Sequence, residues 1–405
     1  MKPLLYRDAF FATIFVIALY LLLKLVILNI HFLEPGHEEK KDFEMTDLVY
    51  SKFSSENKNG VSVTDRDTNI VMVNIGNLTR KEIAELLDSI NSHNPKVIAL
   101  DVLFSANKQD DDTSLATVLK KISNKLVMVG MLAYDEQENA SGIESSQSQF
   151  NVGAKIGYTN FVTNSMLSVV RYFAPFTKVG NEEVPAFPVA IAEKYNPALI
   201  EKLKRRGNEK EIINYQYTQK NIYAYDHKDI TDQNSGALSN LMGKIVLVGY
   251  LGSDLDHVVT EDYHYTPMNE GKNKKTDPDM SGLAIHANII SMILHGKYIS
   301  HVPKCLMWTI SIILCFLHMI FFIQYFVKKH LWFHLYFKTI QFVSSAIIIG
   351  IAVGLYGKWD LRMETEILLA PILLSVDALY FFEPLMLWLN KKRGIKTYLI
   401  MLHDH

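Results

Sequence analysis

Four long apolar runs constrain the folding of this 405-residue chain more than any other feature of its sequence. Each run is long enough, at about 1.5 Å per residue, to cross most or all of a hydrocarbon core roughly 30 Å thick. They cover residues 10–30, 305–327, 339–356 and 367–389. The first is longer than the apolar region of roughly 7 to 15 residues in a cleavable signal peptide. The sequence therefore predicts four transmembrane helices.

Basic residues beside these runs predict the direction in which the chain crosses the membrane, because positively charged flanks stay in the cytoplasm. Lys2 and Arg7 precede the first run, and a mixed, acid-bearing link over residues 358–366 separates the last two. The other basic flanks follow the second and fourth runs: Lys328, Lys329, Lys338, Lys391, Lys392, Arg393 and Lys396. All of them agree with two cytoplasmic termini.

This direction gives a domain plan. We predict a transmembrane anchor over residues 1–31, an extracytoplasmic domain over 32–300, a three-helix transmembrane region over 301–390 and a short cytoplasmic tail over 391–405. The two cysteines, Cys305 and Cys315, lie in the second run, so the extracytoplasmic domain has no disulfide available. With 41 basic and 43 acidic residues, the chain lacks the basic excess of a nucleic-acid binder.

The extracytoplasmic part has the pattern of an α/β domain with a mainly parallel sheet. Short apolar runs rich in Val and Ile predict buried strands, and Thr79 is placed to cap the helix after the first of them. The clearest strands are predicted over residues 70–75, 97–100, 126–129 and 244–248. The stretch over residues 135–149 is polar, and we predict a mobile surface loop there.

Three segments together resemble one family. They read NPKVIALDVLFSANKQDDDTSLATVL, then GKIVLVGYLGSD followed by Asp262, Thr266 and Pro267, and finally MSGLAIHANIISMIL just before the second run. They resemble the second type of CHASE domain, and the resemblance covers roughly residues 40–390. It implies a bacterial extracytoplasmic sensory domain in the inner membrane, with one span before it and three after it. A cyclase, histidine kinase or protein kinase is the usual cytoplasmic output.

The sequence departs from this family in two places. Members often have an acidic residue at the end of the first strand and an aromatic-proline-arginine turn before the first helix, whereas this chain has Asn74 followed by Ile75, Gly76 and Asn77. In addition, no output domain follows the last predicted span. We therefore expect a sensor module that signals through a protein partner.

Ligands of parallel α/β sheets bind beyond the carboxyl ends of the strands. That rule selects residues after three predicted strands, and the family resemblance adds residues of the later segments. The predicted ligand-binding residues are Asn74, Asp101, Ser105, Asp254, Asp262, Thr266 and His286. For Asp101 a helix cap or turn is an equal alternative, for His286 a structural hydrogen bond is preferred, and for Gly249 and Gly252 a tight turn is preferred to a phosphate cradle.

Catalytic chemistry and metal binding are both disfavoured by the sequence. It has no nucleophile elbow and no glycosidase-like carboxylate pattern, so we expect neither an enzyme nor a cofactor. Residues 254–264 carry several side chains that could ligate a divalent metal: Asp254, Asp256, His257, Glu261, Asp262 and His264. Their spacing is irregular, so we expect a solvated acidic loop instead of a metal site.

Two ionisable residues, His318 and Asp377, lie near the middle of predicted spans. A carboxylate at that depth costs at least about 2.5 kcal/mol on insertion scales. We therefore predict that Asp377 faces the interior of the helix bundle and that His318 is the first partner to test. Lys24 and Glu383 lie nearer the span ends, where long side chains can reach the interface.

The resulting hypothesis is a membrane-bound sensor or receptor that binds a small molecule or a protein and signals through partner proteins, with homo-oligomerisation left open. One alternative is a structural or assembly scaffold of an envelope complex. A transporter or channel is a third class, for which His318 and Asp377 are the only hints.

Overall fold

Strands and helices alternate from residue 70 onward. A computed structural model describes residues 2–30, 66–105, 109–137, 139–162, 168–232, 236–255, 262–269, 278–327 and 332–402. The chain divides into two units, which we call the α/β unit (Tyr50–Ile299) and the helical unit (Met1–Val49 with Ser300–His405).

The elements are numbered in chain order. The helices are α1 (Lys2–Ile30), α2 (Arg80–Ser92), α3 (Gln109–Ile122), α4 (Phe187–Tyr195), α5 (Ala198–Arg206), α6 (His227–Thr231), α7 (Gly282–His295), α8 (Lys304–Val327), α9 (Phe333–Trp359) and α10 (Thr365–Arg393). The strands are β1 (Ile70–Asn74), β2 (Val97–Asp101), β3 (Leu126–Tyr134), β4 (Ala140–Glu144), β5 (Lys155–Tyr158), β6 (Tyr172–Phe173), β7 (Phe176–Val179), β8 (Glu182–Pro185), β9 (Glu211–Ile212), β10 (Tyr223–Asp226), β11 (Ile245–Gly249), β12 (Tyr263–His264), β13 (Met280–Ser281), β14 (Ser300–His301) and β15 (Leu361–Arg362).

The sheet of the α/β unit is mainly parallel, as predicted, with the strand order β10-β1-β11-β2-β3-β4. Strand β5 is parallel to β3, whereas β4 is antiparallel to β3. Every residue of β1 and β11 is buried, which is typical of strands covered by helices on both faces. Helices α2 and α3 share one core cluster with the sheet, while α4 and α7 also contact its strands.

The predicted cap of α2 is confirmed. The Thr79 Oγ1 accepts a hydrogen bond from the Glu82 amide at 3.3 Å, and the Glu82 carboxylate accepts one from the Thr79 amide at 2.7 Å. This reciprocal pair is a capping box, which satisfies two amides at the helix start. It fixes the point at which the chain turns from β1 into α2.

The predicted mobile loop over residues 135–149 is wrong, because the segment contains a strand and a short helix. Strand β4 pairs with β3, and the 3-10 helix Ser148–Phe150 buries Phe150 completely. The Asp135 carboxylate accepts hydrogen bonds from the amides of Gln137 and Asn139, which closes the turn between the two strands. An edge strand needs few apolar residues, so hydrophobicity alone did not reveal β4.

Among the residues that the structure describes, four helices of the helical unit are long and apolar enough to cross a membrane: Lys2–Leu25, Lys304–Val327, His334–Trp359 and Thr365–Arg393. Helices α1, α8 and α10 pack against one another, and α9 packs on α10. Small side chains such as Ala9, Ala12 and Ala378 are fully buried at these contacts, where they let helices approach closely.

Two polar side chains inside the helical unit, those of Ser311 and Gln341, donate to backbone carbonyls of α10. Pro371 has no amide hydrogen, so it cannot donate to the carbonyl of Ile367 within α10. The Ser311 hydroxyl of α8 donates to that carbonyl at 2.6 Å instead. The Gln341 amide of α9 donates to the Ile372 carbonyl at 2.7 Å. These bonds tie α8 and α9 to the same part of α10.

The predicted interior position of Asp377 and its pairing with His318 are both wrong. Asp377 lies on the exposed face of α10, where the Lys338 ammonium is 3.4 Å from its carboxylate. The Nε2 of His318 forms a hydrogen bond with the Ser344 hydroxyl at 3.0 Å, and its Nδ1 faces the Leu314 carbonyl at 2.8 Å. Span length gave the depth of these residues, but it did not give the rotation of the helices.

Asp8, which was not among the predicted functional residues, connects the start of α1 to the segment after α10. Asp8 is fully buried at the start of α1. Its Oδ2 accepts hydrogen bonds from the Thr397 hydroxyl at 2.6 Å and from the Tyr398 amide at 2.7 Å, and its Oδ1 pairs with Arg7 at 2.9 Å. The segment after α10 is therefore held against α1, and Leu399 is buried beside it.

We predict that Asp8→Ala releases this segment, because it leaves the Thr397 hydroxyl and the Tyr398 amide without their acceptor at a cost of about 1–3 kcal/mol. Hydrogen exchange of the intact protein in detergent should show faster exchange over residues 396–402. Thr397→Val should have a smaller effect, since one bond to Asp8 remains. Unchanged exchange in Asp8→Ala would contradict the assigned role.

Candidate functional site

Four strand ends meet in register at the carboxyl edge of the sheet. Asn74 ends β1 and lies beside Asp226 of β10 on one side and Gly249 of β11 on the other. Gly249 in turn lies beside Asp101 of β2. Parallel pairing thus places three polar side chains in one row, at the edge where ligands of α/β sheets bind.

Asn74 uses all of its hydrogen-bonding capacity within the protein. Its Nδ2 donates to the Asp226 carboxylate at 2.8 Å and to the Gly252 carbonyl at 3.1 Å. Its Oδ1 accepts from the amides of Gly76 at 3.0 Å and Leu251 at 2.9 Å. This fully buried side chain therefore organises the loop after β11, and its predicted ligand contact is not tested by these bonds.

Asp226 completes the same network, although it was not among the predicted site residues. One carboxylate oxygen accepts from Asn74 and the other accepts from the Leu255 amide at 3.1 Å. Asp226 also forms a capping box with Asp229 at the start of α6. The spacing of these two aspartates is a recognisable N-cap signal, which could have placed Asp226 at a strand end.

The chain after β1 needs glycine at position 76. Gly76 has a φ of 49°, in the left-handed region that favours glycine. A Cβ at this position would lie 2.8 Å from the Ser253 carbonyl oxygen. The segment that departs from the usual family pattern thus packs closely against the loop over residues 250–255.

Asp101 differs from Asn74 in having no hydrogen-bond partner among the residues that the structure describes. Its side chain is half-buried at the end of β2. Burial raises the pKa of Asp101 to about 7, and the nearby negative charge of Asp262 acts in the same direction. Within the residues that the structure describes, no hydrogen bond or cation offsets this cost. A carboxylate left unpaired at a sheet edge is a functional-site candidate.

A histidine on α7 lies next to the same aspartate, Asp262. His286 is 2% exposed, and its Nε2 forms a hydrogen bond with the Thr159 hydroxyl at 2.9 Å. Its Nδ1 is buried and has no hydrogen-bond partner among the described residues. Burial lowers the pKa of His286 to about 3, although Asp262 opposes that shift, so the imidazole is neutral at physiological pH.

Aromatic contacts hold this imidazole in place. The ring of Phe161 stacks on His286 with a centroid distance of 4.9 Å, and its edge meets His264 at 5.0 Å. Phe187 contacts His286 edge-on at 5.4 Å. The His264 Nε2 lies 3.8 Å from the Asp262 carboxylate. The imidazole of His286 is therefore fixed by packing on Phe161 and Phe187.

Helix α7 brings Asp262 and His286 to one face. A Cβ at Gly282 would lie 3.2 Å from an Asp262 carboxylate oxygen, so this carboxylate lies against the first turn of α7. His286 is four residues further along the helix, on the same face as Gly282, and helical side chains lean toward the N-terminus. The imidazole therefore leans toward Asp262. We call Asp101, Asp262, His264 and His286, with Phe161, the edge cluster.

Phe161 of the edge cluster and Thr159, which bonds to His286, were absent from the predicted site. Thr159 and Phe161 follow β5 directly, so the carboxyl-end rule could have selected them. A Cβ at Gly249 would lie 3.3 Å from the Asp101 Cβ and 3.2 Å from Leu283 of α7. Glycine at the end of β11 thus lets α7 approach Asp101.

The structure does not join the remaining predicted residues to the edge cluster. The Thr266 hydroxyl donates to the Asp279 carboxylate at 2.5 Å, and burial raises the pKa of Asp279 to about 6. Ser105 is exposed, and its carbonyl accepts from the Gln147 side chain at 3.0 Å. Asp254 is half-buried in the loop after β11. Ligand contact by these residues stays a prediction.

Part of the acidic segment considered for metal binding lies outside the described residues, namely Asp256, His257 and Glu261. Among the residues that the structure does describe, no group of three or more histidine, cysteine or acidic side chains is placed to hold a metal ion. The two carboxylates and two imidazoles of the edge cluster do not form such a group.

Comparison with known proteins gives one match. A family model described as the CHASE2 domain matches residues 23–324. No curated protein matches the chain, and no solved structure matches it.

The raised pKa of Asp101 predicts a pH-dependent stability. The folded protein holds a proton on Asp101 between about pH 4 and 7, whereas the unfolded chain has lost it, so stability falls as pH rises through this window. Asp101→Asn should remove this loss. Thermal unfolding of the full-length protein in detergent should show the variant to be more stable than the wild type at pH 8 and close to it at pH 4.

Asp279 has a pKa raised in the same direction, so part of the pH dependence should persist in Asp101→Asn. Glu85→Gln, on the exposed face of α2, is the matched control and should follow the wild-type curve. Parallel curves for the wild type and Asp101→Asn would contradict the assignment.

Proposed function

From its place in the CHASE2 family of sensory domains, to which this chain belongs, we propose that the protein is a membrane-bound sensor that recognises a small molecule at the edge cluster and signals through partner proteins. The observation that carries the proposal is the pair of unpartnered polar groups at the carboxyl edge, the Asp101 carboxylate and the Nδ1 of His286.

Unpaired polar groups are informative because the great majority of buried polar groups in proteins have a hydrogen-bond partner. A buried group without one costs about 1–3 kcal/mol. Here the half-buried Asp101 carboxylate and the buried Nδ1 of His286, neither with a partner among the described residues, lie near the exposed carboxylate of Asp262. They are at the edge where α/β sheets bind ligands. A ligand that pairs with them would recover this cost, which gives the site a thermodynamic reason to bind.

Membrane placement follows from the four apolar helices and from the basic flanks. We place the α/β unit outside the cytoplasm and both termini inside it, because Lys2, Arg7 and the basic residues after α10 favour the cytoplasmic side. The family resemblance to bacterial sensory domains supports the inner membrane as the location.

A protein partner is supported by the outer face of the helical unit. Asp377 and Lys338 form an ion pair there, and both side chains are more than half exposed. A charged pair turned toward lipid is costly, so another polypeptide is the favoured neighbour. The same observation also suits the second candidate function, a scaffold within an envelope complex, since an assembly partner would cover the pair equally well.

Photo-crosslinking tests the partner. Leu373 and Phe381 lie one helical turn on either side of Asp377 and are exposed, so a photoreactive amino acid at either position should capture a protein in intact membranes. Asp377→Leu should reduce the capture. Leu22 of α1, also exposed, is the control position. A captured kinase or cyclase supports sensing, an envelope-assembly protein supports the scaffold, and capture of lipid alone contradicts both.

Thiol labelling tests the direction of insertion. In a background in which Cys305 and Cys315 are replaced by serine, a cysteine at Gln137 in the β3–β4 turn should react with an impermeant reagent on intact spheroplasts. A cysteine at Ile395 should react only after permeabilisation. The opposite pattern would reverse the proposed topology.

A further inference from the structure

We propose that the edge cluster binds the primary ammonium group of a small organic amine. This inference rests on the proposed function, because it names the class of ligand for the same site. It follows from three features of the cluster, which are its acceptors, its uncompensated negative charge and its aromatic wall.

The acceptors match the donors of an ammonium group. A primary ammonium has three N–H donors and no acceptor. Asp101 and Asp262 each offer carboxylate oxygens, and neither has a hydrogen-bond donor from the described part of the protein. When the Nε2 proton of His286 points to Thr159, Nδ1 presents a lone pair as the third acceptor.

Among the described residues, no lysine or arginine side chain offsets the negative charge of the edge cluster. The nearby charges act on one another: Asp262 acts on Asp101, while Asp262 and His264 act on His286. In the described residues, no lysine or arginine pairs with either carboxylate, and His264 is 3.8 Å from Asp262. Elsewhere the chain pairs some buried acids with a cation, as Arg80 does with Asp112, and others with neutral donors, as Thr266 does with Asp279. Asp101 has neither kind of partner among the described residues.

The aromatic ring of Phe161 in the edge cluster favours an organic cation. Phe161 is half-buried between the two histidines, and an aromatic face attracts an ammonium at centroid distances up to about 6 Å. The neutral imidazole of His286 adds an acceptor without adding positive charge that would repel the ligand. A hydrated metal ion would instead require a set of ligands that the described residues do not bring together.

Calorimetry on the full-length protein in nanodiscs tests the proposal with 1,4-diaminobutane as the probe. The diamine and its monoacetylated form, which keeps one ammonium, should both bind, whereas tetramethylammonium, which has no N–H donor, should bind at least about tenfold more weakly. Asp101→Asn and Asp262→Asn should each weaken diamine binding by at least about tenfold. Glu85→Gln should bind like the wild type.

Three results would overturn the proposal: no binding of the amines, equal binding by Asp101→Asn, or Asp101-dependent binding of Zn²⁺ or Mg²⁺ in place of amines. Different results would refute the proposed function. Amine binding without any crosslinked protein partner would refute signalling through partners and leave the ammonium site intact. Asp101-dependent metal binding together with a captured kinase would refute the amine and leave the sensor intact.

Discussion

Parallel strand pairing is the constraint on which the rest of the α/β unit depends. The shared register of β10, β1, β11 and β2 brings Asp226, Asn74, Gly249 and Asp101 to one line at the carboxyl edge. The residues on this line differ in their hydrogen bonding. Asn74 and Asp226 form hydrogen bonds that fix the loop after β11. Asp101, a member of the edge cluster, has no hydrogen-bond partner among the described residues.

Within this row, the hydrogen bonds of Asn74 and Asp226 stabilise the fold, and Asp101 is the candidate for ligand binding. The protein satisfies demanding polar groups elsewhere, including Asp8 at the start of α1 and the Ile367 carbonyl freed by Pro371. At the carboxyl edge, the Asp101 carboxylate and the Nδ1 of His286 have no partner among the described residues, which fits the rule that costly arrangements persist where function maintains them.

The sequence predicted those parts of the fold that depend on residues close together in the chain. Alternating apolar runs predicted β1, β2 and β11, Thr79 predicted the start of α2, and run length predicted the four long apolar helices. The carboxyl-end rule correctly selected Asp101 as a residue of that edge. In each case the pattern depends on residues close together in the chain, where period and propensity carry the information.

Tertiary contacts account for what the sequence did not reveal. Thr159 and Phe161, which follow β5, contact His286 of α7 only through the tertiary fold. Asp226 enters the row through β10, a strand of four residues. The rotation of α10, which turns Asp377 outward, depends on packing against α1 and α8. Strand β4 is stabilised by its pairing with β3, since its own composition resembles a loop.

The most direct test is an experimental structure of the full-length protein in lipid nanodiscs, determined with and without 1,4-diaminobutane. We expect added density within hydrogen-bond distance of Asp101, Asp262 and the Nδ1 of His286, with the Asn74 network unchanged. An Asp101 carboxylate paired with a lysine or arginine of the protein, with the same density in both structures, would contradict it.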